Sequence, residues 1–290
     1  MVIRFQGGLG NQMFQYALYK ELQWLGKDVK ADLYLYRTNN DIRKFEIEDI
    51  FGIKLQQAKD WEILKPIREC TRIERFIKKN VLRIKYLEES CFEIPEDVFK
   101  VNRGFLDGYW QSVRYFPDVV NELKDDFSFC DHTIEKYEIA KRITNSNAVS
   151  VHIRMGDYLQ YPEQFGNVCT EEYYKSAIDY ARCVLQTPSF FVFSDEVDKA
   201  QKMLGKQDDI TYVKHVGKDY QDMQLMSLCK HNIIANSSFS WWGAWLNKND
   251  SKMLIVPTKW NHHLTNPYIC DGLLCTKIDS KGKISDNSRG

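Results

Sequence analysis

Val2-Ile3-Arg4-Phe5-Gln6, followed by Gly7-Gly8-Leu9-Gly10-Asn11, reads as a strand that ends in a glycine loop. Beyond it, from about Gln12 to Leu25, Phe14, Leu18, Leu22 and Leu25 stand at helical spacing, and Gly26 is a natural stop. Lys30 to Tyr36 then alternates like a strand. Strand, loop, helix and strand in that order open an α/β domain. Gly8 and Gly10 let the backbone approach a ligand closely, and the helix N-terminus offers amide donors to an anion. With Asn11 they make a first candidate binding element. A tight turn of any α/β protein is the competing reading. Met13 stands where a dinucleotide fingerprint has its third glycine, and the Gly-Lys-Ser/Thr ending of a phosphate-binding loop is missing.

The second half alternates more regularly. Strands are expected at Ala148 to Arg154, Ser189 to Ser194, Ile210 to Lys214, Asn232 to Ala235 and Met253 to Pro257. Helices are expected between them: Glu171 to Leu185 with Thr170 as N-cap, a short one ending at Leu204, Tyr220 to Cys229, and Phe239 to Leu246. Such alternation predicts a parallel, doubly wound sheet. Trp61 to Glu89 reads as helical, and Arg72 to Lys85 is its most basic part. A membrane-surface or acceptor contact through residues 72–85 is one reading, and an ordinary solvated face the other. The organisation expected is residues 1–145, residues 146–279, and a polar tail at 280–290 expected to be disordered.

Three further elements carry chemistry. In His152-Ile153-Arg154-Met155-Gly156-Asp157, His152 and Arg154 would share a face near a strand's carboxyl end, where open α/β sheets place ligands. Arginine suits a phosphate there, because its planar fork donates bidentately and stays charged. A structural Arg–Asp pair is the alternative. In Asn236-Ser237-Ser238-Phe239, a strand ends and a helix begins at serines, so hydroxyls and backbone amides meet a positive dipole end. Plain N-capping is compatible with binding. Trp241 and Trp245 lie one turn apart, a spacing that fits core packing better than sugar stacking. Ser194-Asp195-Glu196 follows an apolar strand and could reach a nucleobase, or simply cap a helix.

The bulk numbers set limits. The 290 residues carry 40 Lys and Arg against 40 Asp and Glu, and 43% are hydrophobic. A packed core follows, and no basic excess points to long nucleic acid. An anionic ligand would need a local cluster of cations. No stretch is apolar enough to span a bilayer, and no secretory leader pattern opens the chain. The 8 cysteines form no Cys-x-x-Cys pair, so reduced thiols in a cytoplasm are expected. No two aspartates stand one residue apart, and His262-His263 is adjacent, so no metal is expected.

Taken in order, the segments Gly7 to Ala17, Gly108 to Ser112, His152 to Tyr158 and Asn236 to Trp245 resemble glycosyltransferase family 11, the α-1,2-fucosyltransferases. The resemblance reaches from the N-terminus to about Thr276. It implies a GT-B-like architecture of two facing Rossmann-like domains with parallel sheets. It implies inverting, metal-independent transfer of L-fucose from GDP-fucose to a hydroxyl of an oligosaccharide or lipid-linked glycan, with the 2-OH of galactose the common position. By the same resemblance Arg154 binds the diphosphate, Ser237, Ser238 and Phe239 the β-phosphate, and Asp195 with Glu196 the guanine. Relatives in other fucosyltransferase families often carry a second arginine where this chain has Met155. Asp157 is the first choice for catalytic base, Glu163 its rival and His152 third. A bacterial, cytoplasmic enzyme of surface-polysaccharide synthesis is implied.

Two other functions compete. A dinucleotide-dependent oxidoreductase would use Gly8-Leu9-Gly10 and Asp32. A non-catalytic nucleotide- or glycan-binding module would bind GDP without transfer.

Overall fold

A computed structural model describes residues 1–38, 43–63, 85–89, 98–156, 163, 166–215, 217–261, 264–265 and 274–285. The chain divides into two compact units, Met1–Cys130 and Asp131–Gly290.

The first unit is built on four parallel strands: β1 (Val2–Arg4), β2 (Lys30–Asp32), β3 (Lys85–Glu88) and β4 (Gly104–Asp107), in the order β2-β1-β4-β3. Helix α1 (Leu9–Trp24) links β1 to β2. It begins three residues before the expected Gln12, so Gly8 is its N-cap and Gly10 lies in its first turn. Its end is as expected, with Gly26 in the left-handed region at φ 76°. The second strand stops early. Asp32 Oδ1 accepts from the amide of Tyr34 at 2.8 Å and turns the chain into a short helix, Tyr34–Arg37. The stretch Lys85–Glu88, expected helical, is a strand paired in parallel with β4. Residues 64–84, which include most of the basic stretch, lie outside the described residues.

The second unit contains the larger sheet. Its strands are β5 (Asn147–Ile153), β6 (Pro188–Ser194), β7 (Ile210–Tyr212), β8 (His231–Ile233) and β9 (Leu254–Pro257). A ribbon of β10 (Lys259–Asn261) and β11 (Leu264–Thr265) follows, then β12 (Thr276–Ile278) and β13 (Ile284–Ser285). The sheet order is β13-β12-β9-β8-β5-β6-β7. All pairs are parallel except β12 with β13. Intervening helices are α2 (Glu138–Thr144), α3 (Glu171–Val184), α4 (Val197–Leu204), α5 (Tyr220–Leu228) and α6 (Ser238–Trp245). Ala148 to Ile153 are buried without a break, as expected of a central parallel strand covered on both faces. Val149, Val151, Ile153, Phe190, Val192 and Ile233 form the core with Tyr173, Tyr174 and Ala177 of α3. Thr170 caps α3 with its hydroxyl, which accepts from Tyr173 N at 3.2 Å.

Two expected boundaries move. The units divide at 130/131 and not at 145/146, because α2 packs on β5 and α5 of the second unit. The tail is ordered through Ser285: β13 pairs with β12, and the Ser176 hydroxyl donates to Gly282 O at 2.6 Å. Residues 286–290 lie outside the described residues.

Candidate functional site

The order β7-β6-β5-β8-β9-β12 is that of a complete dinucleotide-binding sheet, with β5 in the place of the first strand. Its topological switch point therefore falls between β5 and β8. Ligands of such sheets bind outside the carboxyl ends of the strands at that point. The chain leaving β5 there carries Arg154-Met155-Gly156, and the chain leaving β8 leads through Asn236 and Ser237 into α6. The ring of His152, on β5, lies 5.8 Å from the ring of Phe239, in the first turn of α6. Both sequence elements thus meet at one place.

Arg154 is half-buried, and its Nη1 stands 3.2 Å from Asp195 Oδ2. Asp195 follows β6 immediately and reaches across to the neighbouring strand end. Its Oδ1 accepts from Met155 N at 3.0 Å, and its Oδ2 from Gly156 N at 2.9 Å. A Cβ on Gly156 would sit 2.7 Å from that Oδ2. Only glycine lets the backbone come so close. A structural Arg–Asp pair is therefore present, with its carboxylate supplied from the end of β6. Asp195 caps no helix: the N-cap of α4 is Glu196, without a side-chain bond. The Ser194 hydroxyl accepts from Glu196 N at 3.1 Å, and the Glu196 carboxylate pairs with Lys199 at 3.2 Å.

His152 is buried, and its Nδ1 has no hydrogen-bond partner. Burial, then the charge of Arg154, push its pKa down to about 3. The ring is neutral near pH 7 and adds no charge to the site.

At the start of α6, the Ser237 side chain makes no cap bond. Its carbonyl accepts from Trp241 N at 3.0 Å and from the Ser240 hydroxyl at 3.1 Å. Asn236 is tied down by its amide, which donates to Trp260 O at 2.9 Å. The first turn of α6 holds no acidic residue. A guanidinium and a positive helix end suit an anion. Trp241 is fully buried, as core packing requires, while Trp245, stacked 6.4 Å from it, is only half-buried.

In the first unit, Gly8 is extended, at φ −77° and ψ 177°, a conformation open to any residue. The position that demands glycine is Gly7, at φ 78°. Two side chains of this motif have internal work that sequence reading missed. Gln12 Nε2 donates to Gly7 O at 3.0 Å and Lys44 O at 2.7 Å, while its Oε1 accepts from Glu46 N at 2.9 Å. Gln15 bridges Gln6 to Gly108 O. Both side chains are fully buried, a fact that no local feature of the sequence signals. Asn11 Oδ1 accepts from Gln111 Nε2 at 2.7 Å.

Asp32, the carboxylate an oxidoreductase would turn to a ribose, is fully buried. It accepts from Arg4 Nε at 3.2 Å as well as from Tyr34 N. It is a structural partner of Arg4 and presents no acceptor to a cofactor. Asp157, the first choice for base, lies outside the described residues, and so do His262 and His263. Glu163 is exposed. Among the described residues, no group of three His, Cys, Asp or Glu side chains is placed to hold a metal ion. Among them, too, no helix is long and apolar enough to cross a membrane.

The model of glycosyl transferase family 11 matches residues 1–267. The chain belongs to glycosyl transferase family 11. Over 272 residues it is 34% identical to an α-1,2-colitosyltransferase of Escherichia coli, across 90% of this chain and 92% of that protein. Over 257 residues it is 25% identical to galactoside α-(1,2)-fucosyltransferase 2 of Pongo pygmaeus, across 84% of this chain and 68% of the relative. Its fold is similar to that of the fucosyltransferase NodZ from Bradyrhizobium, with a TM-score of 0.50 at 14% identity, over 83% of this chain and 91% of the other. This family 11 chain is thus a glycosyltransferase with an α/β fold and parallel sheets.

Proposed function

We propose that this family 11 enzyme transfers L-fucose from GDP-fucose to a hydroxyl of a glycan acceptor, the 2-OH of a galactose, with inversion and without a metal. The observation that carries the reading is Arg154, held at the switch point of the second sheet beside the start of α6. Breaking the sugar–phosphate bond leaves negative charge on the departing GDP. A preorganised guanidinium and oriented amides can stabilise that charge in place of a metal. One displacement at the fucose carbon, with a base to take the acceptor proton, completes the transfer. Asp157 is our choice of base. The acceptor hydroxyl becomes strongly acidic only as its bond to fucose forms, so a weak carboxylate base suffices.

The donor sugar has a second reading. One of the relatives is named a colitosyltransferase, so an activated colitose is the alternative donor. We place the enzyme in a bacterial cytoplasm, acting on surface-polysaccharide precursors. The deciding experiment offers GDP-fucose and activated colitose to the enzyme with an array of galactosides. Product linkage is read by NMR. An α-1,2-fucosyl product supports the proposal, whereas transfer of colitose alone replaces the donor. Nucleotide binding without any transfer would return the chain to a binding module.

A further inference from the structure

We propose that Asp195 is a positioning residue for the diphosphate-binding arginine, and that it takes no part in reading the nucleobase. The inference rests on GDP being the ligand of this site.

The carboxylate has two oxygens and about four acceptor directions. Three donors converge on it: Met155 N on Oδ1, and Gly156 N and Arg154 Nη1 on Oδ2. All three come from the chain that leaves β5. None of these contacts is local, since the partners are some forty residues away in sequence. They arise because β5 and β6 pair in register, Ile153 against Ser194. The carboxylate therefore faces along the strand ends toward β5. The close approach at Gly156, where a Cβ would meet Oδ2 at 2.7 Å, shows the turn wrapped tightly around the same oxygen.

A carboxylate beside a phosphate-binding arginine has a cost, because it competes for the same charge. The gain is geometry. Arg154 sits on the first residue past a strand, where its backbone and long side chain would otherwise sample many positions. Two backbone bonds fix the turn and one ion pair fixes the fork, so the guanidinium is already aimed when the diphosphate arrives. Glu196 is engaged with Lys199, and Ser194 with the amide of Glu196. The whole Ser194 to Glu196 turn is thus occupied with internal ties.

The test is a calorimetric titration of GDP, GMP and IDP into the wild type, Asp195→Asn and Asp195→Ala. The GDP-to-GMP ratio reads the terminal phosphate and hence Arg154. The GDP-to-IDP ratio reads the guanine 2-amino group. Positioning predicts that Asp195→Ala weakens GDP by about tenfold or more, the scale for a lost charge-assisted hydrogen bond. GMP should change far less, and the GDP-to-IDP ratio should hold. Asp195→Asn keeps an acceptor oxygen and should fall between the two. It also serves alone if Asp195→Ala fails to fold. A collapsed GDP-to-IDP ratio, or unaltered GDP affinity in both folded variants, overturns the proposal. A wild type that binds no GDP overturns the reading beneath it, and the proposal with it.

Discussion

The Gln111 side-chain amide donates a 2.7 Å hydrogen bond to the Asn11 carbonyl oxygen, joining the loop after β4 to the first turn of α1. These loops leave β1 and β4, which are neighbours in the first sheet. The bond therefore sits at that sheet's own switch point. It depends on Gly7, which is left-handed and whose Cβ would meet Asn11 Nδ2 at 2.6 Å. Gly7→Ala adds both backbone strain and a clash. It should cost about 1–3 kcal/mol. A thermal melt should show a Tm lower by several degrees. An unchanged melt would mean that the loop has another conformation.

Arg154→Ala should lower turnover by roughly two to three orders of magnitude, the scale for losing one preorganised donor. Arg154→Lys should also be poor, because an ammonium cannot reproduce the fork that Asp195 holds. Steady-state rates with GDP-fucose check both. Near wild-type turnover in folded Arg154→Ala would remove the arginine from the chemistry.

Turnover should survive exhaustive chelation. The expectation rests on the sequence, which has no pair of aspartates one residue apart, and on an arginine that can carry the charge instead. A loss of activity that Mg²⁺ or Mn²⁺ restores would refute it.

His152 makes stability depend on pH with a definite sign. Its folded pKa is about 3, while an unfolded histidine titrates near ~6.5. Between those values the unfolded chain binds a proton that the native state refuses. The neutral ring is therefore no liability above that unfolded value, and stability is lost as pH falls below it. The slope is at most about 1.4 kcal/mol per pH unit. His152→Phe should lose less stability than the wild type between about pH 7 and 5, read from urea midpoints. Parallel losses in the two proteins would show that His152 is solvated.

Much of this was legible in the sequence for a simple reason. Strands β5 and β6 are largely apolar runs, and α3 has a clear cap in Thr170. Their boundaries fall within a residue or two of the expected ones. The order of the sheet then brings Arg154 and Ser238 to one switch point. What was not legible depends on partners distant in sequence. Asp195 reads as a cap or a base reader, and its bonds to Met155 N, Gly156 N and Arg154 come into view only when β6 is seen beside β5. The ties made by Gln12 and Gln15 have no local signal, because the loops they join come into place only in the fold. Residues 280–285 read as tail because a two-residue edge strand carries no period.

The last prediction concerns Glu89, which follows β3 and reaches the loop after β4. Its Oε2 accepts from Tyr109 N at 2.8 Å and Trp110 N at 2.5 Å. Trp110 is fully buried and holds a left-handed φ of 56°, which is costly for a tryptophan. The carboxylate thus pins a strained turn by its two successive amides. Burial raises the pKa of Glu89 despite these bonds. The Tyr115 hydroxyl lies beside it and is raised in turn, by burial first and then by the carboxylate. Two substitutions separate charge from geometry. Glu89→Gln keeps a carbonyl oxygen for both amides and offers its NH₂ to Tyr115. It should cost little. Glu89→Ala leaves two amides without their acceptor, and the part-buried Trp110 amide accounts for a cost of about 1–3 kcal/mol. It also releases the turn that places Tyr109, an exposed aromatic side chain. Urea unfolding should therefore separate the two variants by about 1–3 kcal/mol, and amide exchange at Tyr109 and Trp110 should rise in Glu89→Ala alone. Equal destabilisation by both would show that the charge, and not the paired acceptor, holds the loop.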